Sequence, residues 1–434
     1  MTETSALRPI NHLGMETDEI DRLFSLIPEQ FGENWLKQQC QRPLGRLWAR
    51  RDGLASTELL ILACALDWAK TAHPIWLKGQ IKIIKGRDSN NSRGAMLELL
   101  ALYLIRESGT NVAPTPKNTA GYDAIITFDD GAAVPLSVKD YGMSQHERIF
   151  QGHSKKFDAA FKARIKSQKR NGLCVLVRAS SYPSEEDWKE LHARLDEILS
   201  QPVNGKRANE FGIWSTNLTS PQLDVYPLSS QKISHQVSVI VPFHRNEVSN
   251  LEAKLEVAAA NASKFAKYGS DALHAIFIRI PEWFGMQIAA SWIKNYFERY
   301  PHGPIRFVLL YQAQTARMGD GTVLQHVFHT EAAASIVGWL AEGRVICMNV
   351  PIGVISQKGS PFQIVADNQP LNECYIYQKG DFYTSVFPDS DGNWHGGVRC
   401  IAPGIIQHSI FEKLNGHFQV SGKFPPSEEI TLFG

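Results

Sequence analysis

The stretch GYDAIITFDDGAAVPLSVKDYG, residues Gly121–Gly142, decides the fold class. Ala124-Ile125-Ile126 and Val134–Val138 are short apolar runs. Asp129-Asp130-Gly131 lies between them and is a strong hairpin signal, because such residues accept the backbone of a tight turn. Side chains alternate faces along a strand. Leu136 and Val138 therefore share one face, and Ser137 and Lys139 share the other. Two charges interrupt the apolar pattern: Asp123 opens the first strand and Lys139 follows the second apolar run. The hairpin puts them on neighbouring strands, within reach of one another.

Upstream, Arg93–Arg106 reads as an apolar helix. Glu98 stands inside it among Leu97, Leu99 and Leu100, and a partly buried carboxylate needs a partner. Downstream, Ser144-Gln145-His146-Glu147 has the form of a capping box and opens a helix that runs to about Lys169. A buried-type strand, Leu173–Val177, and a helix over about Ser184–Leu199 follow. The order of helix, strands, helix, strand and helix predicts an α/β domain with a mixed sheet over residues 91–202.

Residues 1–90 carry apolar residues at helical spacing, as in Asp18–Ile27 and Ser56–Ala72, and form an N-terminal helical region, a cap or arm. Residues 203–234 are polar and rich in Asn, Ser and Pro, the pattern of a linker or irregular connection. A second α/β pattern starts at 235. It has strands at Val237–Val241, His274–Ile280 and Ile305–Tyr311, and helices at Val248–Tyr268 and Met286–Tyr300. The last strand–helix–strand unit predicts a parallel crossover. Beyond 342 the chain is strand-rich. Residues 235–434 are thus expected to form a C-terminal α/β domain, with no motif that names its role.

Glu98, Asp123 and Lys139 together suit hydrolysis of a phosphodiester. Two carboxylates can hold Mg²⁺ or Mn²⁺, which polarises a phosphate oxygen and lowers the pKa of bound water. A lysine beside them stabilises developing charge or positions the nucleophile. The backbone carbonyl of Val138 is a candidate further ligand, giving a metal set of Glu98, Asp123 and Val138. Basic stretches flank the trio in sequence. Lys82, Lys85, Arg87 and Arg93 precede it, and Lys155, Lys156 and Lys162 follow it. Both suit phosphate contact, and both also suit a solvated helix face.

At these residues the chain resembles the PD-(D/E)XK nuclease superfamily, which includes restriction enzymes and Holliday-junction resolvases. The resemblance covers about residues 93–180. It is carried by Glu98 on a helix, Asp123 in GYDAII and Lys139 in LSVKDYG. It implies a restriction-endonuclease-like core of helix, three strands, helix and strand, a divalent metal, and usually DNA cleavage. It also implies a role in restriction, repair or anti-phage defence. The chain departs from the pattern at Ser137, where the family has Asp or Glu. The alternative is therefore a catalytically inactive nuclease-fold protein, a nucleic-acid-binding or scaffold subunit. An unrelated enzyme with its site in 235–434 is a third reading.

Composition bounds these expectations. The 434 residues hold 45 Lys and Arg against 44 Asp and Glu, so overall charge points to no polyanion partner and any nucleic-acid contact must be local. The 6 cysteines are scattered without ligand-like or disulfide-like spacing, which suggests free thiols in a reducing, cytoplasmic compartment. No apolar run approaches the roughly 20 residues of a membrane span. DNA is the expected partner, with homo-oligomer or complex formation through the C-terminal domain.

Overall fold

The computed structural model describes residues 15–38, 42–49, 53–116, 121–168, 173–200, 206–208, 211–217, 235–264, 273–281, 284–318 and 321–341. From 354 to 421 it describes strands only. Five helices come first: α1 (Thr17–Phe31), α2 (Glu33–Gln38), α3 (Pro43–Ala49), α4 (Gly53–Ala72) and α5 (Pro74–Ile84). Helix α6 (Ser89–Glu107) is started by Asp88, whose carboxylate accepts from the Asn90 and Asn91 amides. The hairpin region follows as β1 (Asn111–Pro114), β2 (Ala124–Thr127) and β3 (Ala133–Asp140). Its turn is closed by Ala132, whose amide donates to Asp130 Oδ1 at 2.9 Å, and Gly131 takes a left-handed φ of 84°.

Helix α7 (Gln145–Ser167) opens at Ser144, whose hydroxyl accepts from the Glu147 amide at 3.0 Å. Then come β4 (Leu173–Ala179), α8 (Glu185–Ala193), α9 (Leu195–Ser200), β5 (Lys206–Ala208), β6 (Phe211–Asn217) and β7 (His235–Pro242). Next are α10 (Glu247–Lys264), β8 (His274–Arg279), α11 (Met286–Arg299), β9 (Ile305–Met318), β10 (Gly321–Ala332) and α12 (Val337–Ala341). The remaining strands are β11 (Val354–Ser356), β12 (Val365–Ala366), β13 (Gln369–Pro370), β14 (Cys374–Gly380), β15 (Tyr383–Pro388), β16 (Asn393–Ala402), β17 (Ile405–Leu414) and β18 (His417–Ser421).

The architecture is α/β, with a mixed principal sheet of order β1-β2-β3-β8-β9-β10-β11. β1, β2 and β3 are antiparallel neighbours, while β3, β8 and β9 run parallel. The expected crossover is present as β8–α11–β9. A second sheet has the order β14-β7-β4-β6-β5, and β15–β18 form an antiparallel sheet of their own.

Two expectations are corrected by this topology. Element order places the strand at 173–177 in the sheet of the hairpin, but β4 pairs with β6 and β7 in the second sheet. The parallel neighbour of β3 is β8, which follows α10. Strand pairing at such separation leaves no local trace in the sequence. Composition makes 203–234 a linker, yet the stretch holds β5 and β6, and β6 runs antiparallel along β4. An Asn- and Ser-rich segment can still pair through its backbone, whatever its side chains favour.

Three cores hold these layers. On one face of the principal sheet, Ala124, Ile126, Leu136, Ala275, Phe277 and Leu309 pack with the N-terminal helices and α6. These helices share the core of the sheet rather than standing off as an arm. On the other face, Ile276, Ile278, Val308 and Leu310 pack with Leu251 and Leu255 of α10 and with α11. A third core joins Phe150, Phe157 and Phe161 of α7 and Trp188 of α8 to the second sheet. Among the described residues no helix is long and apolar enough to cross a membrane.

Candidate functional site

Pairing between β2 and β3 ends at Ala124 opposite Leu136. β3 therefore continues past its short neighbour, and Ser137–Asp140 line a notch at the edge of the antiparallel part. Asp123 stands at the mouth of this notch. Its amide donates to the Leu136 carbonyl at 2.8 Å, and its carboxylate takes over where the strand stops. Oδ2 accepts the Val138 amide at 2.7 Å and lies 3.6 Å from Lys139 Nζ. Oδ1 has no hydrogen bond to a described residue. Asp123 and Lys139 keep 32% and 27% side-chain exposure, open enough to meet a solute.

Glu98 lies on α6, in the helical layer that covers the face of the sheet bearing Leu136. Trp76 Nε1 on α5 donates to Glu98 Oε1 at 3.3 Å, and Gln80 adds a second hydrogen bond. Its carboxyl is pushed up to about 7, first by burial and then by the Asp123 charge; the Lys139 ammonium acts in the opposite sense. The three expected residues therefore lie within one another's electrostatic field. Among the described residues no group of three or more His, Cys, Asp or Glu is arranged to hold a metal ion. Of the two carboxylates, that of Asp123 is braced by the Val138 amide.

Ser137, at the position of the departure, is fully buried. Its hydroxyl lies 3.0 Å from His274 Nε2 at the start of β8. Burial, aided by the Lys139 charge, holds the imidazole down at about 4, so it is neutral at neutral pH. The ring of Tyr122, next to Asp123, meets the His274 ring edge-on at 6.3 Å. His274 is not among the residues that sequence reasoning selects. Its one signal there is its place at the head of an apolar strand, which is ordinary.

The notch has a basic flank. Asp140 pairs with Arg93 Nε of α6 at 3.1 Å and with the fully buried Arg279 of β8 at 3.2 Å. Arg93 is thus anchored at the site. Lys82, Lys85 and Arg87 are exposed around the end of α5 and the turn into α6. Lys155, Lys156 and Lys162 are exposed on α7, whose apolar side packs on the second sheet, and Lys162 pairs with Asp158 at 3.1 Å.

Beyond the notch, Glu247 at the start of α10 is buried and accepts hydrogen bonds from Tyr141 and Tyr375, joining the end of β3 to the second sheet. Both phenols are pushed well above the usual tyrosine range, first by burial. Glu147 is also buried, and Tyr141 feels its charge. No family model matches this chain, and no curated protein matches it.

Proposed function

We propose that the chain is a metal-dependent endonuclease that hydrolyses DNA phosphodiester bonds on a restriction-endonuclease-like core. One observation carries this reading. Asp123 and Lys139 lie 3.6 Å apart beyond the end of β2, and the carboxyl of Glu98 responds to the charges of both. The chain order α6, β1, β2, β3 supports the helix and three strands that the resemblance implies; the last helix and strand of such a core would be α10 and β8, which come after the α7–β7 segment in the chain.

Two carboxylates are hard oxygen donors, and Mg²⁺ commonly binds through one or two of them while keeping several waters. Glu98 and Asp123 would hold Mg²⁺ or Mn²⁺, with the Val138 carbonyl as a further donor. Such a cation supplies charge neutralisation at the phosphate and a water of lowered pKa. Lys139, steered by Asp123, stabilises charge developing on the phosphate oxygens. Trp76 and Gln80 orient the Glu98 carboxyl.

A second reading is favoured by Ser137. Its hydroxyl is buried against a neutral imidazole where the family has an acid, which suits a nuclease-fold subunit that binds nucleic acid without cutting it. Plasmid DNA incubated with Mg²⁺ or Mn²⁺ separates the two. Nicking that disappears in both Asp123→Ala and Lys139→Ala supports the enzyme. Binding without nicking in any metal supports the subunit, and no binding at low salt rejects both.

A further inference from the structure

We propose that His146 and His244 form a pH-sensitive latch between the two sheets, closed while no more than one of the imidazoles carries a charge and opened by the second proton. The inference does not depend on the nuclease reading. The chain crosses between the sheets twice at this point. β3 of the principal sheet leads into α7, which packs on the second sheet, and β7 of the second sheet leads into α10, which packs on the principal one. His146 is the second residue of α7, and His244 lies in the turn between β7 and α10. Their rings are stacked, with centres 3.5 Å apart and planes 13° from parallel. Phe243, next to His244, packs against the cores of both sheets. The ring of Tyr182 meets the two imidazoles edge-on at 5.9 and 5.0 Å, and its hydroxyl donates to the His146 carbonyl at 2.8 Å.

Both rings are half-buried. His244 Nδ1 accepts from the Asn246 amide at 3.2 Å, so the neutral ring keeps its proton on Nε2, and charging the ring turns that acceptor into a donor. The charged and titratable groups around the pair are Glu147 and Arg148 on α7, Arg245 and Glu247 beside His244, Tyr182 ahead of α8 with Glu185 beyond it, Tyr141 after β3 and Tyr375 on β14. Burial, then His146 and Arg245, hold His244 below the usual histidine range, and Glu247 opposes them. That carboxylate is already shared by Tyr141 and Tyr375, and it can offset one imidazolium. Two imidazolium rings face to face, each half out of water, repel one another. Once the rings separate, each titrates at about 6.5. Below that pH the separated state binds more protons than the stacked state, and acid shifts the equilibrium towards it.

Hydrogen exchange of the full chain at pH 7.5 and 5.0, followed by peptide mass spectrometry and corrected for the intrinsic pH dependence of exchange, reads the latch. Protection over 145–150 and 244–250 is measured relative to 305–315 of β9, which carries any loss of global stability. In the unsubstituted chain this ratio is expected to fall about tenfold or more on acidification. His146→Phe keeps a ring in the stack but removes the second charge, and the fall is expected to shrink below about threefold. His244→Phe removes the charge from the other side and is expected to do the same. His146→Arg puts a fixed cation against His244 and is expected to keep the fall, which a merely structural ring would not explain. No relative fall in the unsubstituted chain, a fall of equal size in either phenylalanine variant, or a fall lost in His146→Arg as well each overturns the proposal.

Discussion

Ser137 Oγ and His274 Nε2 lie 3.0 Å apart on adjacent parallel strands, both buried. The imidazole titrates near 6.5 in the unfolded chain and at about 4 in the fold. The folded state therefore binds fewer protons between these values. The stability it contributes is fully present above pH 6.5 and is lost as pH falls towards 4, by up to about 3 kcal/mol. Glu98, raised from 4.5 to about 7, contributes the opposite slope over its own window. The His274 part is therefore read as the difference between the unsubstituted chain and His274→Gln. Urea unfolding from pH 4.5 to 7.5 should give a gap that narrows as the solution is acidified, and a constant gap sinks the assignment.

Glu98→Gln removes a carboxyl that burial and Asp123 both disfavour as an anion, while keeping atoms that can bond Trp76 and Gln80. Melting at pH 8 in EDTA should rise, and plasmid nicking should fall by about 10²-fold or more. Lower melting in this variant would mean that the carboxylate is needed to hold the fold.

Asp123 has two tasks that different substitutions separate. Asp123→Asn keeps an oxygen for the Val138 amide, whereas Asp123→Ala leaves that amide without its 2.7 Å acceptor. The alanine variant should be less stable than the asparagine variant by about 1–2 kcal/mol in urea titrations. Neither should nick plasmid. Retained nicking in Asp123→Asn removes the carboxylate from the chemistry.

The basic groups make unequal demands on salt. Replacing Lys82, Lys85 and Arg87 together by Gln should reduce the slope of log affinity against log salt by about 2–3 units, near 0.9 for each phosphate that is no longer neutralised. Replacing Lys155 and Lys156 should change it less, because α7 packs on the second sheet. Anisotropy of a labelled duplex across a NaCl series measures both, and a larger effect from the α7 pair would move the interface there.

Much of the site is legible in the sequence because it is local. An Asp-Asp-Gly turn and the two-residue alternation bring Asp123 to Lys139, and a glutamate amid leucines marks its own burial. The neighbours of β3 are not legible. Nothing in LSVKD says that its parallel partner is HAIFIR rather than LCVLVRA, since both are apolar runs able to sit inside a sheet. His274 stays hidden for the same reason: it gains meaning only from the pairing of β3 with β8. Lys155, Lys156 and Lys162 are legible as cations of one helix, but the sheet on which that helix packs is not.

The pairing of β3 with β8 also bears on how the protein comes into being. As the chain leaves the ribosome, the strand bearing Lys139 emerges long before the one that will flank it. Until then its inner edge has no ladder to join. An excised fragment ending near residue 202 would keep that exposed edge permanently, and should associate with itself rather than behave as a working module.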